Sequence, residues 1–258
     1  MNNAKSAKNQ QFVSLADEES VKKILVDTIL RLWETVNNLT RLRPSKRERY
    51  RVTIFGSARI KPGSTVYEEV RYLAHELSAM GCDIVTGGGP GLMQAANEGA
   101  SEVEIPGNDR SSLGIRIELP FEQDVNPFVD QVFEHRTFFS RLHHFVLVSD
   151  AFVVVPGGIG TVLETFMIWQ LLQVRQVQNT PLILIGKMWS ELMEWAKTYM
   201  LRPEHLLVNP EDLSIPRCTS TADEAITLIR EHHARWLREQ TPPAKDGGNK
   251  RPASGDDE

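Results

Sequence analysis

Apolar residues recur along this chain with two different periods, and the change from one to the other outlines the fold. Over residues 17–42, Val21, Leu25, Ile29, Leu32, Val36 and Leu39 return every three or four positions, with Val26 and Trp33 widening the stripe. That spacing predicts one apolar face of a helix. Pro44 ends it, because the residue before a proline is pushed out of the helical region. From Arg51 onward short apolar runs alternate with helical periods. Residues 51–56 read as a strand entering a glycine turn. A helix follows, with Thr65 and Glu68 spaced as a capping box and Val66, Val70, Leu73, Leu77 and Met80 on one face. Further strands are predicted at 82–86, 113–119, 132–135, 151–155 and 181–185, with a short strand-like segment at 213–216. Helices are predicted at 92–101, 137–148, from the 156–161 turn to about Val174, at 189–201 and at 221–238; residues 104–112 and 120–130 read as loops.

The run AFVVV at 151–155 is apolar at every position, as expected of a parallel strand covered on both faces. Strand–helix alternation of this kind predicts an α/β class: a Rossmann-like, doubly wound parallel sheet of six or seven strands, with helices on both faces and an extra N-terminal helix. The expected organisation is a polar, disordered 1–16, one domain over 17–239 that includes the N-terminal helix, and a disordered Pro-, Gly- and Lys-rich tail over 240–258. The chain's 258 residues, 41% hydrophobic, suffice for one sizeable core.

Composition narrows the function classes. No run of about 18 apolar residues exists, so no membrane span is expected. The polar N-terminus has no apolar stretch before a small-residue cleavage site, so no signal peptide is expected either. A formal net charge of −5 argues against a general nucleic-acid binder. One basic cluster, Arg41, Arg43, Lys46, Arg47, Arg49 and Arg51, reads as a solvated linker or as a contact to an anionic ligand or partner. The two cysteines, Cys82 and Cys218, do not make a disulfide scaffold, and a reducing cytoplasm fits them.

Chemistry concentrates at three strand ends that carry glycine: Gly56, the turn holding Gly87, Gly88, Gly89 and Gly91, and the turn holding Gly157, Gly158 and Gly160. In a parallel sheet these ends share one edge, where ligands of such folds bind. A helix N-terminus there offers unpaired N–H groups and positive dipole charge, which favour an anion; Thr161 adds a hydroxyl. Neither turn continues into the Gly-Lys-Ser/Thr of a phosphate-binding P-loop, and the first turn, Gly56 followed by Ser57, Ala58 and Arg59, lacks the glycines of a dinucleotide fingerprint, so no dinucleotide cofactor is expected. Glu164 falls on the first turns of the helix after the third glycine turn, and Arg141 on the helix before it. On the residues alone, Glu164 reads equally as an acid complementing a helix start and as a catalytic carboxylate, and Arg141 equally as a surface arginine.

The motifs themselves resemble a known family. PGGIGTVLE at 156–164 is similar to the P-G-G-x-G-T-x-x-E motif of the LOG (Lonely Guy) phosphoribohydrolases, formerly labelled lysine decarboxylase-like, and SDAF at 149–152 is typical of what precedes it there. GGGPGLM at 87–93, with Ala95, Ala96 and Asn97, resembles the family's second glycine motif in its bacterial form. FGSAR at 55–59 resembles its first strand end, and LPFEQ at 119–123 with Asn126 and Pro127 a loop of the longer bacterial members. The resemblance runs from about Arg51 to about Met200.

It implies hydrolysis of the N-glycosidic bond of a nucleoside 5′-monophosphate, AMP or a cytokinin ribotide, with Arg141 and Glu164 as the catalytic pair and no cofactor. It also brings Ser57, Met93 and Asn97 into the binding set with the glycines and Thr161, and implies at least a homodimer. The lysine that follows the arginine in the family is Leu142 here, which leaves Arg136 as the other candidate arginine. Two rival readings are a broad-range nucleotide nucleosidase of base salvage and a non-catalytic nucleotide or cofactor carrier on the same fold. The old family label would need a Schiff-base lysine; Lys187, the one lysine near a strand end, reads as solvated. The seven histidines show no metal-ligand spacing. Trp169, Trp189 and Trp195 read as packing rather than as stacking platforms.

Overall fold

A computed structural model describes residues 17–39, 49–104, 112–118 and 124–240 of the chain, without the side chains of 33–39. The expectations for 1–16, most of the basic cluster, most of the 104–112 loop, the LPFEQ segment and the C-terminal tail lie outside those residues. The chain divides into two units, with the boundary between Ser45 and Lys46.

In the first unit, α1 (Glu18–Leu39) occupies the segment expected to be helical. It opens on Asp17, whose carboxylate accepts from the Ser20 amide at 3.1 Å, as an N-cap residue does.

The second unit is built on β1 (Arg51–Phe55), β2 (Asp83–Thr86), β3 (Ser112–Ile117), β4 (Gln131–His135), β5 (Ala151–Val154), β6 (Leu182–Ile185) and β9 (Pro216–Thr219). They form one seven-stranded sheet in the order β4-β3-β2-β1-β5-β6-β9, every neighbouring pair parallel. The remaining helices are α2 (Thr65–Ala79), α3 (Leu92–Ser101), α4 (Phe138–Val148), α5 (Ile159–Gln173), α6 (Lys187–Met200) and α7 (Ala222–Gln240). This is the doubly wound Rossmann-like architecture that the alternating pattern predicts. The winding direction reverses between β1 and β5, so the glycine turns after those two strands flank the switch point.

The pleat assigns side chains to the two faces. Val52 and Ile54 of β1, Ala151 and Val153 of β5, and Ile183 and Ile185 of β6 point into a core with α2, α3 and α7. Phe55, Phe152, Val154, Leu182 and Leu184 point the other way, into a core that includes Phe145, Ile168, Trp169 and Trp189. All of these are buried, and each large side chain so removed from water stabilises the fold by about 1.5–3 kcal/mol before entropy is counted. Strands covered on both faces explain why 151–155 carries no polar position.

Three local expectations are corrected, and one element is added. The cap of α2 is Ser64, whose hydroxyl accepts from the Tyr67 amide at 3.3 Å, and not Thr65; Glu68 pairs with Arg71 instead of closing a capping box. The last strand of the sheet begins at Pro216 rather than Leu213. Residues Pro210–Ser214 wind into a 3-10 turn, closed by reciprocal bonds between Asn209 and Asp212 and pinned by buried Leu213. A two-residue antiparallel ribbon, β7 (Leu201–Arg202) with β8 (His205–Leu206), had no signal in the pattern. Of the basic cluster, Arg49 and Arg51 are not solvated linker residues: both pair with the buried carboxylate of Asp83.

Candidate active site at the carboxyl edge of the sheet

Arg141 and Glu164 come from different helices and meet. Thr137 caps α4, its hydroxyl accepting from the Ser140 amide at 3.2 Å, and so fixes the first turn that carries Arg141. Glu164 lies in α5, whose first turn follows the PGG turn directly. The Arg141 Nη1 donates to Glu164 Oε1 at 2.8 Å, and the Nε donates to the Ile115 carbonyl of β3 at 2.8 Å. The guanidinium carbon stands 5.0 Å from the centre of the Phe145 ring, which packs edge-on against Phe55. Both charged side chains are about nine-tenths buried. Burial pushes the Glu164 carboxyl above its ordinary value, and Arg141 opposes that shift. With Nε and one Nη1 hydrogen occupied, the Nη2 group and the second Nη1 hydrogen are left to meet a ligand.

That Nη2 group lies against Gly87. A Cβ at this position would come within 2.5 Å of it and 2.6 Å of the Met93 sulfur, so the missing side chain is the seat of the arginine. Arg136, by contrast, stands in solvent beside Glu118, 3.7 Å away, and does not approach Glu164.

The remaining candidate residues separate into two groups. In the 87–91 turn several backbone groups are bonded inward. The Gly88 amide donates to the Thr86 hydroxyl at 2.9 Å, the Gly88 carbonyl accepts from the Asn126 amide at 3.0 Å, and the Gly89 carbonyl accepts from the Asn126 side chain at 3.0 Å. Gly91 has φ +71°, and a Cβ there would run into the backbone of Ser57 and Ala58. Asn97 is fully buried behind this turn, accepting from Thr86 and donating to Ser112. Ser57 links all three turns: its amide donates to the Pro156 carbonyl at 3.1 Å and its carbonyl accepts from the Leu92 amide at 2.8 Å. Gly56 is wedged between Val155 and Leu92.

The 156–161 turn is different. Gly157 is pressed on Thr161, but a Cβ at Gly158 or at Gly160 would meet nothing within 4 Å. Ahead of the first helical bond in α5, from the Val162 amide to the Gly158 carbonyl, the amides of residues 159–161 have no helical acceptor. Thr161 itself is buried.

Elsewhere, Lys187 is exposed and pairs with Glu191, as a solvated strand-exit lysine does. Trp189 and Trp169 are buried in the core, whereas Trp195 is half-exposed and lies against Tyr199. His135 and His144, 2.9 Å apart between ring nitrogens, form a pair that the sequence did not suggest, since it joins β4 to α4. Among the described residues no group of three or more His, Cys, Asp or Glu side chains is arranged to hold a metal ion, and no helix is long and apolar enough to cross a membrane.

A parallel sheet with an acid–guanidinium pair and glycine turns at its carboxyl edge defines the class, and comparison with known proteins defines the family. Residues 93–229, more than half of the chain, match the family described as "possible lysine decarboxylase", the LOG-type family, and the chain belongs to it. Curated relatives are the pyrimidine/purine nucleotide 5′-monophosphate nucleosidases of Escherichia coli K12 and of Escherichia coli O157:H7. Each is 28% identical over 140 residues, which are 52% of this chain and 30% of that protein. The chain thus spans about a third of the length of the relatives it matches. Among solved structures, the molybdenum cofactor carrier protein of Chlamydomonas reinhardtii superposes with a TM-score of 0.54 at 18% identity, over 72% of this chain and 99% of that one. The molybdenum cofactor binding protein of Rippkaea orientalis does so at 0.54 and 19%, over 72% and 98%. At that identity the likeness establishes the fold alone.

Proposed function

We propose that this protein hydrolyses the N-glycosidic bond of nucleoside 5′-monophosphates, AMP or cytokinin ribotides among them, to a free base and ribose 5-phosphate. The observation that carries the reading is the nearly buried Arg141–Glu164 pair, joined to the 87–91 turn on one side and to the start of α5 on the other. Cleavage of the C1′–N bond builds positive charge on the ribose, and a carboxylate beside C1′ stabilises it. Glu164 takes that role and orients the water whose oxygen bonds C1′ as the C1′–N bond breaks; the proton that water sheds ends on the departing base nitrogen. Arg141 opposes the burial that favours the neutral carboxyl and offers Nη2 to the ribose or phosphate. The 5′-phosphate sits on the free amides at the start of α5, where Gly158 and Gly160 leave room. Membership of the family and the nucleotide nucleosidase relatives support the same chemistry. A homodimer belongs to the proposal: Ile159, Leu163 and Phe166 expose apolar surface on α5, as do Phe138 and Phe139 on α4.

The test is release of free base from AMP, GMP, CMP, UMP and isopentenyl-AMP, with adenosine as the phosphate-free control. Monophosphates should be cleaved and adenosine should lag far behind; equal rates would remove the phosphate anchor. Glu164→Gln should bind AMP normally and lose turnover on the order of 100-fold or more. Burial raises the folded carboxyl, so its stability cost sets in as the pH rises from the ordinary value to the folded one; the glutamine removes that cost but leaves the buried Arg141 guanidinium without its counter-charge, and the variant should melt below the parent at neutral pH. Turnover intact in this variant removes Glu164 from the mechanism, and AMP binding without any base release in the parent would make the protein a carrier.

A further inference from the structure

Asn97 and Asn126 are the only buried side-chain amides among the described residues, and they are bonded to each other: the Asn126 Nδ2 donates to the Asn97 Oδ1 at 3.0 Å. Each uses its remaining capacity on a different part of the carboxyl edge. Asn97 sits on α3, donates to the Ser112 hydroxyl at the start of β3 (2.6 Å) and accepts from the Thr86 hydroxyl at the end of β2 (2.7 Å). Asn126 comes from the segment between β3 and β4. Its second Nδ2 hydrogen goes to the Gly89 carbonyl, its backbone amide to the Gly88 carbonyl, and its Oδ1 accepts from the Phe128 amide at 3.2 Å. The Gly88 amide closes the circuit by donating to Thr86. Three backbone groups of the 87–91 turn, the Gly88 amide and the Gly88 and Gly89 carbonyls, are therefore held by this buried network, in a place where water cannot substitute.

A core of this size does not need two buried amides for stability, since apolar residues of the same shape pack there without polar desolvation. What an amide pair supplies and an apolar pair does not is a fixed orientation of backbone carbonyls and amides in the turn. The turn's first residue, Gly87, is the seat of the Arg141 guanidinium. We propose that Asn97 and Asn126 are positioning residues: their linked side chains set the 87–91 turn so that Gly87 holds Arg141 in register with Glu164. Neither touches substrate. The inference rests on the reading of Arg141 and Glu164 as the catalytic pair.

The experiment uses Asn126→Ala and Thr86→Val, the latter removing one hydroxyl at nearly constant shape, each made in the parent and in Arg141→Lys. Turnover of AMP should fall roughly ten- to a hundredfold in the parent background, as for a displacement of about an ångström at a reacting group, with AMP affinity changed less than about twofold because the phosphate is held elsewhere. In the Arg141→Lys background the same substitutions should cost almost nothing further. Equal losses in both backgrounds, or unchanged turnover, overturn the proposal. Should Asn126→Ala fail to fold, Thr86→Val decides alone. The second readout is the Arg141 Nε–H resonance, assigned by its loss in Arg141→Lys. It should shift in both variants; a resonance that stays in place overturns the positioning role. If the parent protein releases no base, the hydrolase reading has failed, and this resonance still decides whether the amide pair sets the arginine.

Discussion

The two longer glycine turns at the carboxyl edge are similar as strings of letters and opposite as structures. In the 87–91 turn glycine is needed at three positions for a local reason: a guanidinium fills the side-chain place at Gly87, the Ser57–Ala58 backbone fills it at Gly91, and Gly88 has φ +72°. Its Gly88 amide and its Gly88, Gly89 and Gly91 carbonyls are occupied by protein partners. In the 156–161 turn Gly158 and Gly160 face open space at the start of α5. One turn is a wall that holds an arginine; the other is where an anion fits. Glycine-richness alone does not mark a phosphate site, and the distinction lies in what a Cβ would meet.

The same substitution in the two turns should therefore have opposite effects, and this is the largest test of the contrast. Gly91→Ala meets both a positive φ and a backbone collision, and should destabilise by about 3 kcal/mol or more, or prevent folding. Gly160→Ala lies in the first turn of α5 with room for a methyl group. It should leave the protein as stable or up to about 1 kcal/mol more stable in thermal melts, because alanine is the better helix former. Its AMP affinity should nevertheless weaken. Loss of stability at 160, or tolerance at 91, would break the comparison.

A smaller effect is expected at Gly87. The methyl group of Gly87→Ala meets two flexible side-chain ends, so the fold should survive with little change in melting temperature. Turnover should fall by roughly tenfold or more through displacement of Arg141 while AMP still binds. Weaker binding with unchanged turnover would instead make Gly87 part of the anion site.

The smallest effect is a pH slope. Burial pushes His144 down to about 4 and lowers His135 beside it. The unfolded chain, with ordinary histidines, then binds more protons than the folded one between about pH 6.5 and pH 4. Stability contributed by the neutral pair is present above that window and lost as the pH falls through it. His144→Gln should flatten the decline of melting temperature from pH 7 to pH 5; an unaltered slope would exclude this pair as its source.

Much of the fold was legible in the sequence because its elements carry strong local signals. The runs at 151–155 and 181–185 are too apolar for anything but covered strands, and α3 begins and ends where the pattern puts it. Failures came where local signals are weak or duplicated. Ser64 and Thr65 are both good caps, and only the hydrogen bond tells them apart. The 213–216 segment alternates like a strand, yet the reciprocal Asn209–Asp212 bonds wind most of it into a turn. At the site, Arg141 and Glu164 could be named from the family motif, but a sequence does not say that they touch. The Asn97–Asn126 link and the Gly87 seat join segments far apart in the chain, so no window of residues contains them; His135 and His144 are nine residues apart, but they meet only because β4 turns into α4 there.

The outermost strands of the sheet have a further consequence. β9 starts with Pro216, which has no N–H to offer, and β4 exposes Gln131, Val132 and Glu134. Proline and charge on a border strand discourage another chain from continuing the ladder. Growth by strand addition into open-ended fibres is thereby disfavoured, and any lasting self-association of this unit is directed to its helical surfaces, where symmetry can close it at a finite number of copies.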